Sequence, residues 1–491
     1  MIAWRSSRQA IIRQARAITM AATPRPPREP LVVVLGSTGT GKSDLAVELA
    51  TQFRGEIINA DAMQLYKGLP IVTNKMPVAE RRGIPHHLLD HTGLDDTPWS
   101  LDDFKRSAAT TIADIRARGN LPIVVGGTHY YTNALLFKDI TVGTDKEADS
   151  ELNFPILSEP NDVILAKLKE VDPVMAARWH PNDHRKIRRS LEIYLQYGRP
   201  ASEIYEEQKL RKAQGGGSGQ VVDGLEDDEA PWESLLFWVH SDTEVLRARL
   251  DGRIDKMLDA GLMDEISGMH EHVRQREARG EPVAFDKGIW QSIGFKEFRP
   301  YLKAVDEGAP AAEIEALRRA GVEQMKTATR QYANSQTRWI RTKTVPLLQQ
   351  RRGAMGHLFV VDSTDVSQWT VNVAEPAVDV ARRFLEGTGP LPDPGELSAT
   401  ARRVLDAATA PPAERTVCQK TCELCGTTTT TLETWEKHMR SKKHKALVRG
   451  RGRRALVPVD EVPPPASDVA KSRPSSPDMQ LGGFFEPVPD P

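Results

Sequence analysis

Gly36-Ser-Thr-Gly-Thr-Gly41-Lys42-Ser43 fits the phosphate-binding loop pattern G-x-x-x-x-G-K-[ST]. In such a loop, successive backbone N–H groups of Gly36, Ser37, Thr38, Gly39, Thr40 and Gly41 turn toward one anion. The following helix adds partial positive charge at its N-terminus. Lys42 adds a full charge, and Ser43 suits a magnesium ion. The loop does not choose between a nucleotide and a bare pyrophosphate ester. Further on, Asn59-Ala60-Asp61-Ala62-Met63-Gln64 offers a carboxylate for general-base or metal work and an amide able to read an adenine edge. A plain helix-cap Asp and a solvent-facing Gln are the bland alternative. Gly126-Gly127-Thr128 clears space and presents a hydroxyl, although Gly-Gly is also an ordinary tight turn.

Two basic segments suit a nucleic acid. Arg185, Lys186, Arg188 and Arg189 alternate with apolar Ile187, Leu191 and Leu195 on one helical pattern. The alternative there is a solvated face with an Arg188–Glu192 ion pair at i,i+4. Lys326, Arg330 and Asn334 share a second helical face, with Tyr332 and Trp339 available to stack or to pack. Near the other end, Cys422-x2-Cys425-x12-His438-x5-His444 has the ligand types and spacing of a zinc finger, with Leu432 and Trp435 for its small core. Cys418 is left over. Arg440, Lys442, Lys443, Lys445, Arg449, Arg451, Arg453 and Arg454 flank the finger, a run suited to phosphates or to a nuclear address.

These residues need a scaffold to meet. Leu31–Leu35, Glu56–Asn59, Pro122–Val125 and Leu235–His240 read as short apolar strands, with helical patterns between them. Alternation of this kind predicts an α/β fold, a doubly wound parallel sheet. Its strand ends would carry the loop, Asp61 and Thr128 at one edge, where ligands bind in open sheets. Helices are expected at 162–171, 183–197, 242–266, 311–341 and 376–385, and a further strand at 357–361. Residues 206–231, with GGGSG and EDDE, read as a low-complexity loop. Residues 387–416 read as a Pro-rich linker, and the Pro/Ser-rich tail as disordered.

The 491 residues allow two to four domains. A net charge of −1 confines any nucleic-acid surface to local patches. Three cysteines argue against a disulfide scaffold. No apolar run approaches the roughly 18 residues of a membrane span, so no membrane partner is expected. The first 28 residues carry Arg5, Arg8, Arg13, Arg16, Arg25 and Arg28 with no acid and with apolar Ile2, Trp4, Ile11, Ile12 and Ile18. This resembles a mitochondrial presequence. Met20 lies inside it as a second start. The expectation is a mitochondrial form and a cytoplasmic form, with a nuclear fraction through the basic run.

Seven blocks now stand in one order: the phosphate loop, NADAMQLYKG, GIPHHLLD, LPIVVGGTHYY, HPNDHRKIRRSLEIY, QSIGFKEF and TRQYANSQTRW. Together, over roughly residues 30–342, the chain resembles the tRNA dimethylallyltransferase family, in its eukaryotic type with a C-terminal matrin-type finger. The resemblance implies transfer of a dimethylallyl group from its pyrophosphate to the exocyclic amine of the adenosine 3′-adjacent to the anticodon. It implies that Gly36 to Ser43 hold the donor pyrophosphate, Asp61 takes the amine proton, Thr128 contacts the pyrophosphate, and Arg253, with Lys42, neutralises the leaving group. It also implies tRNA contacts from Asp61, Ala62, Met63, Gln64, Thr128, Arg185, Lys186, Ile187, Arg188, Arg189, Ser292, Ile293, Gly294, Lys326, Arg330 and Arg338. Ala62 departs from the family, which usually has Ser there. Magnesium at Ser43 and a structural zinc on Cys422, Cys425, His438 and His444 complete the expected cofactors. The partners are the tRNA anticodon stem-loop and dimethylallyl pyrophosphate, with the protein acting as a monomer.

The expected domain plan follows. Residues 1–28 form the presequence, 29–140 the first part of the P-loop core, and 141–233 a helical insertion domain with the low-complexity loop. Residues 234–386 form the second part of the core with tRNA-binding helices, 387–416 the linker, 417–455 the finger and basic run, and 456–491 the tail. Two other classes compete. A prenyltransferase of free adenine nucleotides would not need the insertion, the basic helices or the finger. A nonenzymatic RNA-binding protein would not need Lys42, Asp61, Thr128 and Arg253 together.

Overall fold

The computed structural model describes residues 25–137, 154–215, 232–351, 353–411 and 417–455. Most of the expected presequence, residues 216–231 of the low-complexity loop and the tail from 456 lie outside the described residues. The rest falls into two compact units. One is drawn from Met1–Ile140 and Glu226–Ala410, the other from Thr141–Leu225 and Pro411–Met479.

The first unit is built on β1 (Pro30–Gly36), whose apolar residues are buried on both faces. That is the signature of a central strand in a parallel sheet. Then come α1 (Lys42–Gln52), β2 (Gly55–Asn59), β3 (His86–His87), α2 (Leu101–Ala117), β4 (Leu121–Val125) and α3 (His129–Leu136). After the insertion, β5 (Glu233–His240) and β6 (Leu358–Asp362) complete a sheet of order β3-β2-β4-β1-β5-β6 in which every pairing is parallel. The α/β reading from sequence is correct. Alternate residues of β1 serve opposite layers. Leu31, Val33 and Leu35 pack with Phe104, Ile112 and Ile115 of α2, while Val32 and Val34 pack with Leu45 and Leu49 of α1. Ser100 and Asp103 form a reciprocal cap that starts α2.

Helices of the insertion, α4 (Asn161–Val171), α5 (Pro173–Arg178), α6 (His184–Tyr197) and α7 (Ala201–Gly215), belong to the second unit and enclose Leu168, Ile187 and Leu191. In the first unit, α8 (Thr243–Asp259), α9 (Leu262–Ala278), α10 (Phe295–Asp306) and α11 (Ala311–Trp339) enclose a separate core of Ile254, Leu262, Phe298 and Met325. A π turn at Ile340–Thr344 leads into α12 (Val345–Gln349). Next are α13 (Glu375–Glu386), with its proline in the first turn, and α14 (Ala399–Thr409). The second unit ends with the hairpin β7 (Val417–Thr421) and β8 (Thr428–Thr431), then α15 (Leu432–Arg440) and α16 (Lys442–Ala455).

Several expectations are corrected. The helix expected over 242–266 is two helices, because Gly261 turns to φ 101 between them. The loop expected from 206 is helical as far as 215. His357 belongs to a short 3-10 turn before β6. The linker expected over 387–416 contains α14, capped by Ser398, which buries Ala401, Val404, Leu405 and Ala408 against the sheet.

Candidate active site

β1 ends in the phosphate loop, and the loop's polar groups are organised by the protein itself. Lys42 Nζ donates to the Ser37 carbonyl at 2.7 Å, and Thr40 Oγ1 donates to the same oxygen at 2.9 Å. Arg249 of α8 donates to the Gly39 carbonyl at 3.0 Å. Arg253, one turn on, donates to Thr38 Oγ1 at 3.0 Å. Burial lowers the Lys42 pKa to about 8, with the Asp61 charge opposing and the Arg253 charge assisting. Burial also lowers Arg253 to about 10, so it stays a cation at neutral pH.

Asp61 stands just beyond β2. Asn59 fixes the backbone there: its side chain accepts from the Asp61 N–H at 3.0 Å and donates to the carbonyls of Asp61 and Leu88. The Met63 N–H donates to Asp61 Oδ1 at 3.0 Å. Burial pushes the Asp61 pKa up, while this bond and the Lys42 charge pull it down. The carboxylate is therefore a stronger base than an exposed one, with its position held. Across from it, β4 runs into Gly126-Gly127. A Cβ on Gly126 would lie 2.2 Å from the backbone of Ala60, and one on Gly127 would lie 2.9 Å from Asp61 Oδ2. Glycine is what lets the two strand ends close to this distance.

Thr38, Asp61, Met63, Gln64, Arg253, Ser292 and Ile293 line one cleft of about 920 Å³, its open mouth included. Apolar walls with a few convergent polar groups are the character of a small-molecule site. Ile254 and Met257, without a sequence assignment, complete the walls together with Met325 and with Tyr332, whose ring the sequence offers for stacking or packing. Tyr332 and the nearby Gln336 lie in TRQYANSQTRW at i,i+4 spacing, the one sequence signal that they share a face.

Other expected residues sit differently. The Thr128 hydroxyl is fully buried, accepts from the Ala62 N–H at 3.0 Å and does not line the cleft. Ala62, where the family has Ser, keeps its backbone in that bond. Gln64 lines the cleft but commits its Nε2 to the carbonyls of Thr73 and Asn74. The Gly294 N–H donates to Glu297, capping α10. Lys326 and Arg330 pair at 2.7 Å with Asp255 and Asp251 of α8, so they clasp two helices. Arg338 is exposed.

In the second unit, Arg185, Arg188 and Arg189 lie exposed along α6, but Ile187 is 0% exposed inside the insertion core and is removed from the tRNA-facing set. The solvated-face alternative pairs Arg188 with Glu192; in the structure Arg189 pairs with Glu192 at 2.9 Å. Lys186 pairs with Asp183 and lies over the Trp179 ring. The four ligand atoms of Cys422, Cys425, His438 and His444 lie within 4.8 Å of one another. Two thiols and two imidazoles so gathered are the donor set of a structural zinc ion. Among the described residues, no helix is long and apolar enough to cross a membrane.

Comparison with known proteins matches these features. The IPP transferase family matches residues 64–343, and a C2H2-type zinc-finger family matches residues 420–444. The tRNA dimethylallyltransferase of Schizosaccharomyces pombe is 39% identical over 445 residues, 87% of this chain and 96% of that protein. The Homo sapiens protein of the same name is 35% identical over 422 residues, 84% of this chain and 85% of that one. A crystal structure of a eukaryotic dimethylallyltransferase acting on tRNA matches with a TM-score of 0.68 at 32% identity, over 87% of this chain and 98% of that one.

Proposed function

The chain belongs to the IPP transferase family, and on that premise we propose that it transfers the dimethylallyl group of dimethylallyl pyrophosphate to the exocyclic amine of the adenosine 3′-adjacent to the anticodon in tRNA. The observation that carries the reading is the cleft where the phosphate loop, a half-buried arginine and a half-buried carboxylate meet. An aromatic amine is a weak nucleophile, so catalysis needs orientation, stabilisation of the leaving charge and removal of a proton. The amine nitrogen forms a bond to the terminal allylic carbon. The carbon–oxygen bond breaks, and its electron pair leaves with the pyrophosphate. The surplus amine proton goes to an Asp61 carboxylate oxygen.

Each residue has a reason for its role. Arg253 donates to Thr38 in the loop and keeps its charge, so it faces the departing anion. Lys42 and the loop N–H groups of residues 36–43 address the same charge. Thr128 acts by fixing the Ala62 amide, and so the turn that carries Asp61. Ser43, partly exposed in the first turn of α1, would hold a magnesium ion, which would supply further charge neutralisation. Exposed Arg185, Arg188 and Arg189 and the basic run around the finger support binding of the anticodon stem-loop backbone.

The test offers labelled dimethylallyl pyrophosphate to the full chain with unmodified tRNA, free adenosine monophosphate or ATP. Label in tRNA alone is the expected result. Label in a free nucleotide, or phosphoryl transfer from ATP, would overturn the reading.

A further inference from the structure

Helix α11 carries Gln336 into the wall between the phosphate loop and the β4 turn, where it is 2% exposed. Both ends of its amide are used. Oε1 accepts from the Thr38 N–H at 2.7 Å, and Nε2 donates to the Gly127 carbonyl at 2.9 Å. A donor at one end and an acceptor at the other fix which way the amide faces. The Tyr332 hydroxyl, one turn back, faces the same spot beside Gly127. Its two backbone partners stand on opposite sides of the reaction. Thr38 belongs to the phosphate loop and also receives Arg253. Gly127 belongs to the turn against Asp61, and its backbone N–H helps to hold the pKa of that carboxylate down. A Cβ on Gly127 would meet Gln336 Nε2 at 2.4 Å and Asp61 Oδ2 at 2.9 Å, so the three groups are in near contact.

We infer that Gln336 is a positioning residue for the transfer: one buried amide sets the spacing between the loop that receives the leaving group and the carboxylate that receives the proton. The inference rests on the function proposed above. Transfer needs the allylic carbon, its leaving oxygen and the amine held in line, and a displacement of about 1 Å in such an arrangement costs on the order of 10²-fold in rate. Gln336 touches neither reacting group itself; it acts through Thr38 and Gly127.

Gln336→Glu and Gln336→Asn in the full chain test this. The Glu variant keeps the length and the acceptor for Thr38. It loses the donor to Gly127 and adds negative charge beside Asp61. The Asn variant keeps the amide but is too short to reach both partners. Turnover with tRNA and dimethylallyl pyrophosphate is measured per active site, counted by burst titration, together with tRNA affinity and the pH dependence of kcat/KM. Expected for both is a fall in kcat on the order of 10²-fold with tRNA affinity retained. In the Glu variant the acid limb also moves to higher pH, because a second carboxylate disfavours ionisation of Asp61. Wild-type kcat per active site in either variant, or an unmoved acid limb in the Glu variant, would overturn the inference while wild-type turnover leaves the proposed function standing. Failure of the wild-type protein to prenylate tRNA would overturn both.

Discussion

At the level of single residues, the proposed transfer turns on two titrating groups, Asp61 lining the cleft and Lys42 in the phosphate loop. Burial raises Asp61 and lowers Lys42 to about 8. A base must be ionised and a charge-stabilising lysine protonated, so kcat/KM should rise with pH through an Asp61 value above the ordinary carboxylate range. It should fall again near pH 8 as Lys42 loses its proton. A profile that does not fall between about pH 7 and about pH 9 would contradict the Lys42 assignment, and one with no acid limb would contradict the Asp61 assignment. The glycine turn gives a second prediction. Gly127→Ala brings a Cβ to 2.4 Å from Gln336 Nε2 and 2.9 Å from Asp61 Oδ2, so side-chain ends rather than backbone must move. Its melting temperature should stay near that of the wild type while kcat falls on the order of 10²-fold. Normal kcat in that variant would mean that the spacing around Asp61 is not critical.

Among the elements, the sheet is pinned at the end away from the cleft by Glu56, whose side chain is 5% exposed. It accepts from Arg118 at 3.0 and 2.7 Å and from Asn120 at 2.7 Å, and bonds His87 of β3. The Arg118 hydrogen bond is the largest of the effects that hold its pKa at about 2. A folded-state value below the unfolded one stabilises the fold above the unfolded pKa, and the contribution disappears as pH falls toward about 2. Glu56→Gln should therefore cost roughly 1–2 kcal/mol at neutral pH, allowing for solvent around the half-exposed Arg118, and almost nothing near pH 2. Thermal melts at both pH values check this. The long strands were legible because each is an apolar run bounded by turn residues. β3 was not, since two residues carry no periodicity. α14 was hidden by the prolines and glycines on either side of it, although Ser398 and the stripe Ala401, Val404, Leu405 and Ala408 carry a cap and a helical spacing. The phosphate loop and Asp61 were legible because their chemistry is local in the chain. Gln336 was not, because its partners lie 298 and 209 positions away. Ile187 was misplaced because a basic helix shows its charges in sequence, and which of its residues face inward depends on packing.

In the molecule as a whole, the cleft and the exposed arginines of α6 belong to separate compact units. Cys422, Cys425, His438 and His444 are in the unit without the phosphate loop. Ending the chain before Pro411 should therefore weaken tRNA binding and flatten its salt dependence, with kcat at saturating tRNA preserved. The log–log slope should change by roughly 0.7–0.9 for each phosphate no longer neutralised. Equal affinity and equal slope would remove the finger from tRNA binding. If the cleft moves a dimethylallyl group onto one adenosine, with Asp61 taking the proton, the nucleosides of the anticodon loop will show it. They are analysed by mass spectrometry after unmodified tRNA and dimethylallyl pyrophosphate are incubated with the wild-type chain and with Asp61→Asn. The wild type should leave a dimethylallyl mass increment on the adenosine 3′-adjacent to the anticodon. The variant should leave almost none, although it still binds tRNA. An unmodified adenosine with the wild type, or near-normal modification by Asp61→Asn, would contradict this mechanism.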